Sequence, residues 1–224
     1  MVIRSDDIDP LLTKVLVLAL ISVNVVCWSV CYVLSAKNGL FDNSNFFLSR
    51  ALDRDPCRAV ACVLFPIMAG LTGLVLFLRS ILVLIRLETR IQRSVWSLCN
   101  VFSMLTIFGL IAVPAIPVSL YTTIHRVAAC VLFGGGFMNM LLSTYLHSSL
   151  KLQTVVWIGV VRVGLIVVAF CGLVGFVVFH EVSYLVSSIC EISAGACMIC
   201  FLCCFALDSE CFSNHTKKTL SSAS

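Results

Sequence analysis

Glu191 stands in the apolar stretch Ser188-Ile-Cys-Glu-Ile-Ser193, where a carboxylate is hard to place. In hydrocarbon, an ionisable side chain is costly unless it faces protein, water or a headgroup. Comparable positions at the edges of other apolar stretches hold His125 and Arg126, His180 and Glu181, and Arg54 and Arg58. If helices bring them to one end of a bundle, Arg58, His125, Arg126, Glu181 and Glu191 form a polar cluster. Its simplest role is to fix helix packing, with Glu191 paired to His125 or to an arginine. Two functional roles compete with packing: recognition of a phospholipid or glycolipid headgroup, and acid/base chemistry between His125 and Glu191. No nucleophile motif accompanies the cluster, so packing is expected ahead of chemistry and no catalytic residue is assigned.

The chain has 13 cysteines, and most fall inside apolar runs. Cys197, Cys200 and Cys203 recur at three-residue steps that resemble metal-ligand spacing. Thiolates and the polar groups that support them are expensive in hydrocarbon, so no metal or other cofactor is expected. Cys57 and Cys190 would share an oxidising side and are candidates for a disulfide. Cys204 and Cys211 lie near the opposite membrane edge, where palmitoylation is physically reasonable. Arg79, Arg86, Arg90 and Arg93 form a basic run whose first expected role is to set topology. Near an anionic membrane surface each charge is worth about 1 kcal/mol, which makes Arg86, Arg90 and Arg93 candidates for lipid contact.

The elements that must position these groups follow from composition. Of 224 residues, 60% are hydrophobic and 12% charged, about half the charged share usual in a soluble domain. Barrel strands would alternate apolar and polar residues over about 10 positions. The runs here are unbroken, and about 20 residues of helix cross the hydrocarbon layer. The expected fold is therefore all-α, a polytopic membrane protein with a six-helix transmembrane bundle. Its spans are expected at about 15–34, 59–78, 97–119, 127–146, 155–179 and 184–207, with a flexible cytosolic tail over 208–224. The first run is read as a retained span, because it is longer than a usual signal core and no small-x-small cleavage site follows it.

Lys and Arg in short loops favour the cytosolic side. With the N-terminus inside, that side carries Arg4, Lys14, Arg79, Arg86, Arg90, Arg93, Lys151, Lys217 and Lys218, with Arg162 snorkelling toward it. The other side carries Lys37, Arg50, Arg54, Arg58 and Arg126. Both termini are therefore expected in the cytosol, and the sequon at Asn214 falls where it stays unglycosylated. Gly134, Gly135 and Gly136 are expected to allow close helix approach, and Pro114 and Pro117 to end or kink the third span. Little material lies outside the spans, so no soluble catalytic domain is expected.

Three separated segments resemble the DRAM family of six-span membrane proteins, including its transmembrane-protein-150-like branch. They are His125-Arg-Val-Ala-Ala-Cys-Val-Leu-Phe133, Trp157-Ile-Gly-Val-Val-Arg162, and Cys190-Glu191 with the span that ends at Asp208. The first loop departs from the family pattern, with only Phe47-Leu-Ser49 and Asp55-Pro-Cys57 representing its motifs, and Ile192 and Ser209 replace the usual aromatics. The resemblance implies a non-enzymatic modulator of autophagy or membrane trafficking in lysosomal, endosomal or plasma membranes. Related branches assist phosphoinositide-kinase complexes or remodel GPI-anchor lipids in the secretory pathway, which leaves those functions and a Golgi or ER residence as alternatives. The expected partners are membrane lipids and membrane or cytosolic proteins, not nucleic acid.

Overall fold

Within a bilayer the backbone N–H and C=O groups must satisfy one another, and each apolar run of this chain does so as a helix. In the computed structural model, residues 10–39, 55–150, 156–180 and 182–223 are described, with side chains as far as Leu207 except that of Val156. They form α1 (Pro10–Lys37), α2 (Cys57–Leu84), α3 (Arg90–Ala115), α4 (Thr122–Ser149), α5 (Val156–Phe179) and α6 (Tyr184–Ala223). No strand occurs among the described residues. Each helix contains a stretch long and apolar enough to cross a membrane.

Among the helix starts the largest shift from the expected spans is at α3, which begins at Arg90 rather than near Ser97. A capping box nucleates it earlier: Gln92 N–H donates to Thr89 Oγ1 at 3.2 Å, and Gln92 Oε1 accepts from Thr89 N–H at 3.1 Å. Two donors that a helix start leaves open are thereby satisfied reciprocally. Arg90 and Arg93 thus ride on α3. The same helix stops at Ala115, ahead of Pro117 and short of the expected Ser119. The backbone of α6 is helical to Ala223, through the residues expected as a tail.

Helices adjacent in sequence pack on one another, and α6 closes the bundle against α1 while also touching α2 and α4. Glycines let α3 and α4 approach closely: a Cβ added at Gly109 would lie 2.6 Å from Leu132 Cα, and one at Gly135 would lie 3.0 Å from Thr106 Oγ1. Gly136 faces the Met198 sulfur of α6. Gly135 and Gly136 therefore do what the triple glycine was expected to do, while a Cβ at Gly134 would meet nothing. Between α5 and α6, Gly172 makes room for the Cys190 carbonyl and Gly175 for its Sγ. Buried around α6 are Val75, Met140, Ala169, Phe201 and Phe205, and a second cluster joins Leu20, Cys27 and Cys31 to Phe65 and Met68. The outward face of α5 presents Val160, Val163, Val167, Val174 and Val177, side chains that lipid solvates as well as a core would.

Candidate functional site

A connected polar group lies inside the bundle, toward the end that carries Arg86, Arg90 and Arg93. Arg79 sits five residues before the end of α2, about 8 Å inside it at 1.5 Å per residue, and is 9% exposed. Its Nη1 donates to Ser143 Oγ at 2.7 Å and its Nη2 to the Ser143 carbonyl at 3.1 Å. The Ser143 hydroxyl donates to Asn139 Oδ1 at 3.2 Å, one turn earlier on α4. The amide of Asn139 then crosses to α3, giving its N–H groups to Ser103 Oγ and to the Cys99 carbonyl. Ser103 in turn donates to that carbonyl at 2.9 Å. Three helices are thus stitched by groups that are all buried, the condition under which a satisfied network specifies one arrangement.

The charge of Arg79 is met from the other side by a ring. Its guanidinium carbon lies 4.0 Å from the centroid of Phe205 on α6, within the range of a cation–π contact. Phe205 stands edge-on to Phe201 at 5.4 Å, and the Arg162 guanidinium lies 5.9 Å from the Phe201 ring. Arg162 was expected to snorkel to the interface, but it is 0% exposed. It enters the bundle between α5 and α6 instead. Nearer the basic end, Trp96 Nε1–H donates to the Ser80 carbonyl at 3.1 Å, Ser80 Oγ–H donates to Asn100 at 2.9 Å, and Gln92 reaches the Ser149 carbonyl at 3.3 Å.

At the opposite end the residues read as one cluster are divided. His125 is 6% exposed and donates from Nδ1 to the Ile116 carbonyl at 2.6 Å. Arg58 approaches the neighbouring Ala115 carbonyl at 3.5 Å, so both side chains serve the C-terminus of α3, where carbonyls are left open and positive charge is favoured. Arg126 is exposed and extends toward His180 Nε2 at 3.5 Å. Glu191 is 9% exposed on α6, with Tyr32 of α1 close enough to feel its charge. The hydrogen bonds of His125, Arg58 and Arg126 go to the Ile116 carbonyl, the Ala115 carbonyl and His180. Glu181 lies outside the described residues.

The cysteine expectations change as well. Cys57 and Cys190 are free thiols: Cys57 is packed on α1, with its Sγ 3.2 Å from Ser35 Oγ, whereas Cys190 faces Gly175 of α5. Helix packing turns them to different neighbours, so no disulfide joins them. Cys204 is 3% exposed and its Sγ points back to the Cys200 carbonyl at 3.9 Å. It faces the interior rather than an acyl donor at the membrane edge. The side chain of Cys211 lies outside the described residues. Cys197 is buried and Cys200 exposed, and no group of three His, Cys, Asp or Glu able to hold a metal occurs among the described residues. Of the basic residues, Arg90 and Arg93 are exposed and Arg86 is half-buried. Burial holds the Arg86 guanidinium below its ordinary pKa.

Residues 12–210 match the model of the Frag1/DRAM/Sfk1/Cwh43P N-terminal domain. The chain belongs to this Frag1/DRAM/Sfk1 family. It is accordingly an integral, multi-pass membrane protein, and the matched region takes in the six apolar spans except Pro10 and Leu11. Comparison with curated proteins gave no match, and neither did comparison with solved structures. Within the Frag1/DRAM/Sfk1 match lie the helix α3 terminus with His125, the buried Arg162, Glu191 and the whole Arg79 network. Cys211 and Asn214 lie beyond it.

Reading by residue type favoured the charged group around Glu191 and passed over Asn139 and Ser103. A usable signal was present: Cys99 and Ser103, and Asn139 and Ser143, are each four apart on a helix. That spacing puts each pair on one face.

Proposed function

We propose that this protein is a non-enzymatic modulator of autophagy or membrane trafficking, acting through its helical bundle and its basic end on membrane lipids and protein partners. The observation that carries this reading is the Frag1/DRAM/Sfk1 match over 12–210, which reaches into all six spans. In support, the polar interior around Arg79 has its hydrogen-bonding groups engaged in holding α2, α3 and α4 together. Lysosomal, endosomal or plasma membrane residence belongs to the same proposal, as does a cytosolic location for both termini. Arg90 and Arg93, exposed on the first turns of α3, with Arg86 beside them, suit contact with anionic lipid on that face.

The test is autophagic flux in cells lacking the protein, measured as turnover of a lipidated autophagosome marker with and without lysosomal inhibition. Flux should change in the null cells and return on re-expression. Unchanged flux, with a tagged protein confined to the Golgi or ER, would overturn the reading. A glycan on Asn214 would invert the orientation.

A further inference from the structure

Gly134 is the member of the glycine triple that helix packing leaves unexplained, since a Cβ there would meet nothing within 4 Å. It opens instead onto a groove of about 520 Å³ between α3 and α4. Phe102 and Leu105 of α3 and Val127, Val131, Gly134 and Met138 of α4 give it an apolar lining, and Arg126 stands at one end. Leu105, Val127 and Gly134 are exposed, so the groove faces the lipid and not the bundle interior.

Its position along α4 is informative. That helix has 28 residues and is about 42 Å long at 1.5 Å per residue, so centred on a hydrocarbon layer of about 30 Å it extends about 6 Å beyond each side. Arg126 is its fifth residue, which puts the guanidinium where hydrocarbon gives way to headgroups. Met138 lies about 18 Å further along the helix, close to the midplane. The groove is thus about one leaflet deep, with its charge at the headgroup end and its apolar length in the chain region.

Arg126 is exposed, and its Nη2 lies 3.5 Å from His180 Nε2. A guanidinium can only donate, so the imidazole nitrogen accepts, and this contact occupies one N–H of a fork that suits a phosphate. Thr123 lies one turn before Arg126 on the same face and adds a hydroxyl to that end. The remaining polar side chain of the lining, Cys130, behaves as a small apolar group. No Asp or Glu among the described residues lines the groove. A second copy of the chain suits it less well than a lipid. Copies inserted in one membrane share their orientation, so a two-fold contact here would set Arg126 against Arg126 at equal depth. A partner helix would also cross both leaflets, whereas the groove stops near the midplane. A neutral lipid would fill the apolar length and leave the guanidinium without an anion.

We propose that this groove holds an anionic phospholipid from the leaflet at that end, with its phosphate on Arg126 and one acyl chain laid over Gly134 toward Met138. The proposal stands apart from the trafficking reading, since it concerns what the purified chain binds.

The experiment is photocrosslinking of the full chain in phosphatidylcholine nanodiscs, with two probes that carry the same diazirine acyl chain: a phosphatidylglycerol and a diacylglycerol. The phosphatidylglycerol should label the peptide from Val127 to Met138 about fivefold more than the diacylglycerol, the preference that one basic residue gives near a membrane surface. Arg126→Gln should bring the two probes level. Gly134→Leu places a side chain in open space and should cut labelling of that peptide by either probe, while labelling of the exposed valines of α5 stays unchanged. That α5 signal reports whether the variant still folds. Equal labelling by the two probes on the unsubstituted chain overturns the phosphate assignment, whatever the variants do. Absence of groove labelling, or a chain-to-chain crosslink through this face, overturns the lipid site.

Discussion

The two ends of this bundle treat their polar residues differently. Toward the basic end, Arg79, Ser143, Asn139, Ser103 and Cys99 form one connected network over three helices. Toward the other end, His125 and Arg58 each serve an open carbonyl at the terminus of α3, Arg126 turns to His180, and Glu191 is buried on α6. The contrast follows from depth. Inside hydrocarbon a polar group has only other helices to bond, so it is drawn into cross-helix chains. At a helix end the nearest unsatisfied partner is the last turn's own backbone.

This difference can be probed by removing one group at a time. The largest effect is expected from Ser143→Val, which deletes the hydroxyl that meets Arg79 and Asn139 at a site 0% exposed. A charge-assisted bond and a neutral one are lost together, a destabilisation of about 3 kcal/mol, to be read from unfolding of the reconstituted protein. Asn139→Leu should cost about 2 kcal/mol, since it removes the acceptor of the Ser143 hydroxyl and the amide that ties α4 to Ser103 and Cys99. A cost below about 0.5 kcal/mol for either would remove the energetic basis for the network. His125→Ala should cost about 1 kcal/mol, because the Ile116 carbonyl it leaves stands at a helix end where other donors can reach. Arg126→Gln should stay within about 0.5 kcal/mol, as expected of an exposed side chain. A larger effect there would show that the two ends are more alike than their bonding suggests.

Six spans were legible because hydrocarbon thickness translates directly into run length. The start of α3 was not, because the capping box of Thr89 and Gln92 lies within a polar stretch and leaves no mark on hydropathy. Reading by charge located Arg79 correctly in sequence but assigned it to the surface. Only packing reveals that Ser143 and the Phe205 ring receive its guanidinium inside the bundle. The same limit applies to Arg162, whose stem is long enough to reach the interface but whose burial against α6 keeps it inside. Glu191 and His125 share an end, as their span positions implied. Whether two residues at one end touch depends on helix rotation, which a uniformly apolar helix does not encode: α5 and α6 have little polar face to fix it.

The most direct measurement is a pair of double-mutant cycles on the reconstituted protein, one on Arg79 and Ser143 and one on His125 and Glu191. The first cycle should give a coupling of about 1.5 kcal/mol, near the upper end for hydrogen bonds between membrane helices, and the second a coupling within about 0.3 kcal/mol of zero. Coupling between His125 and Glu191 that equals or exceeds that between Arg79 and Ser143 would contradict the division of the bundle into a connected interior network and separately capped helix ends.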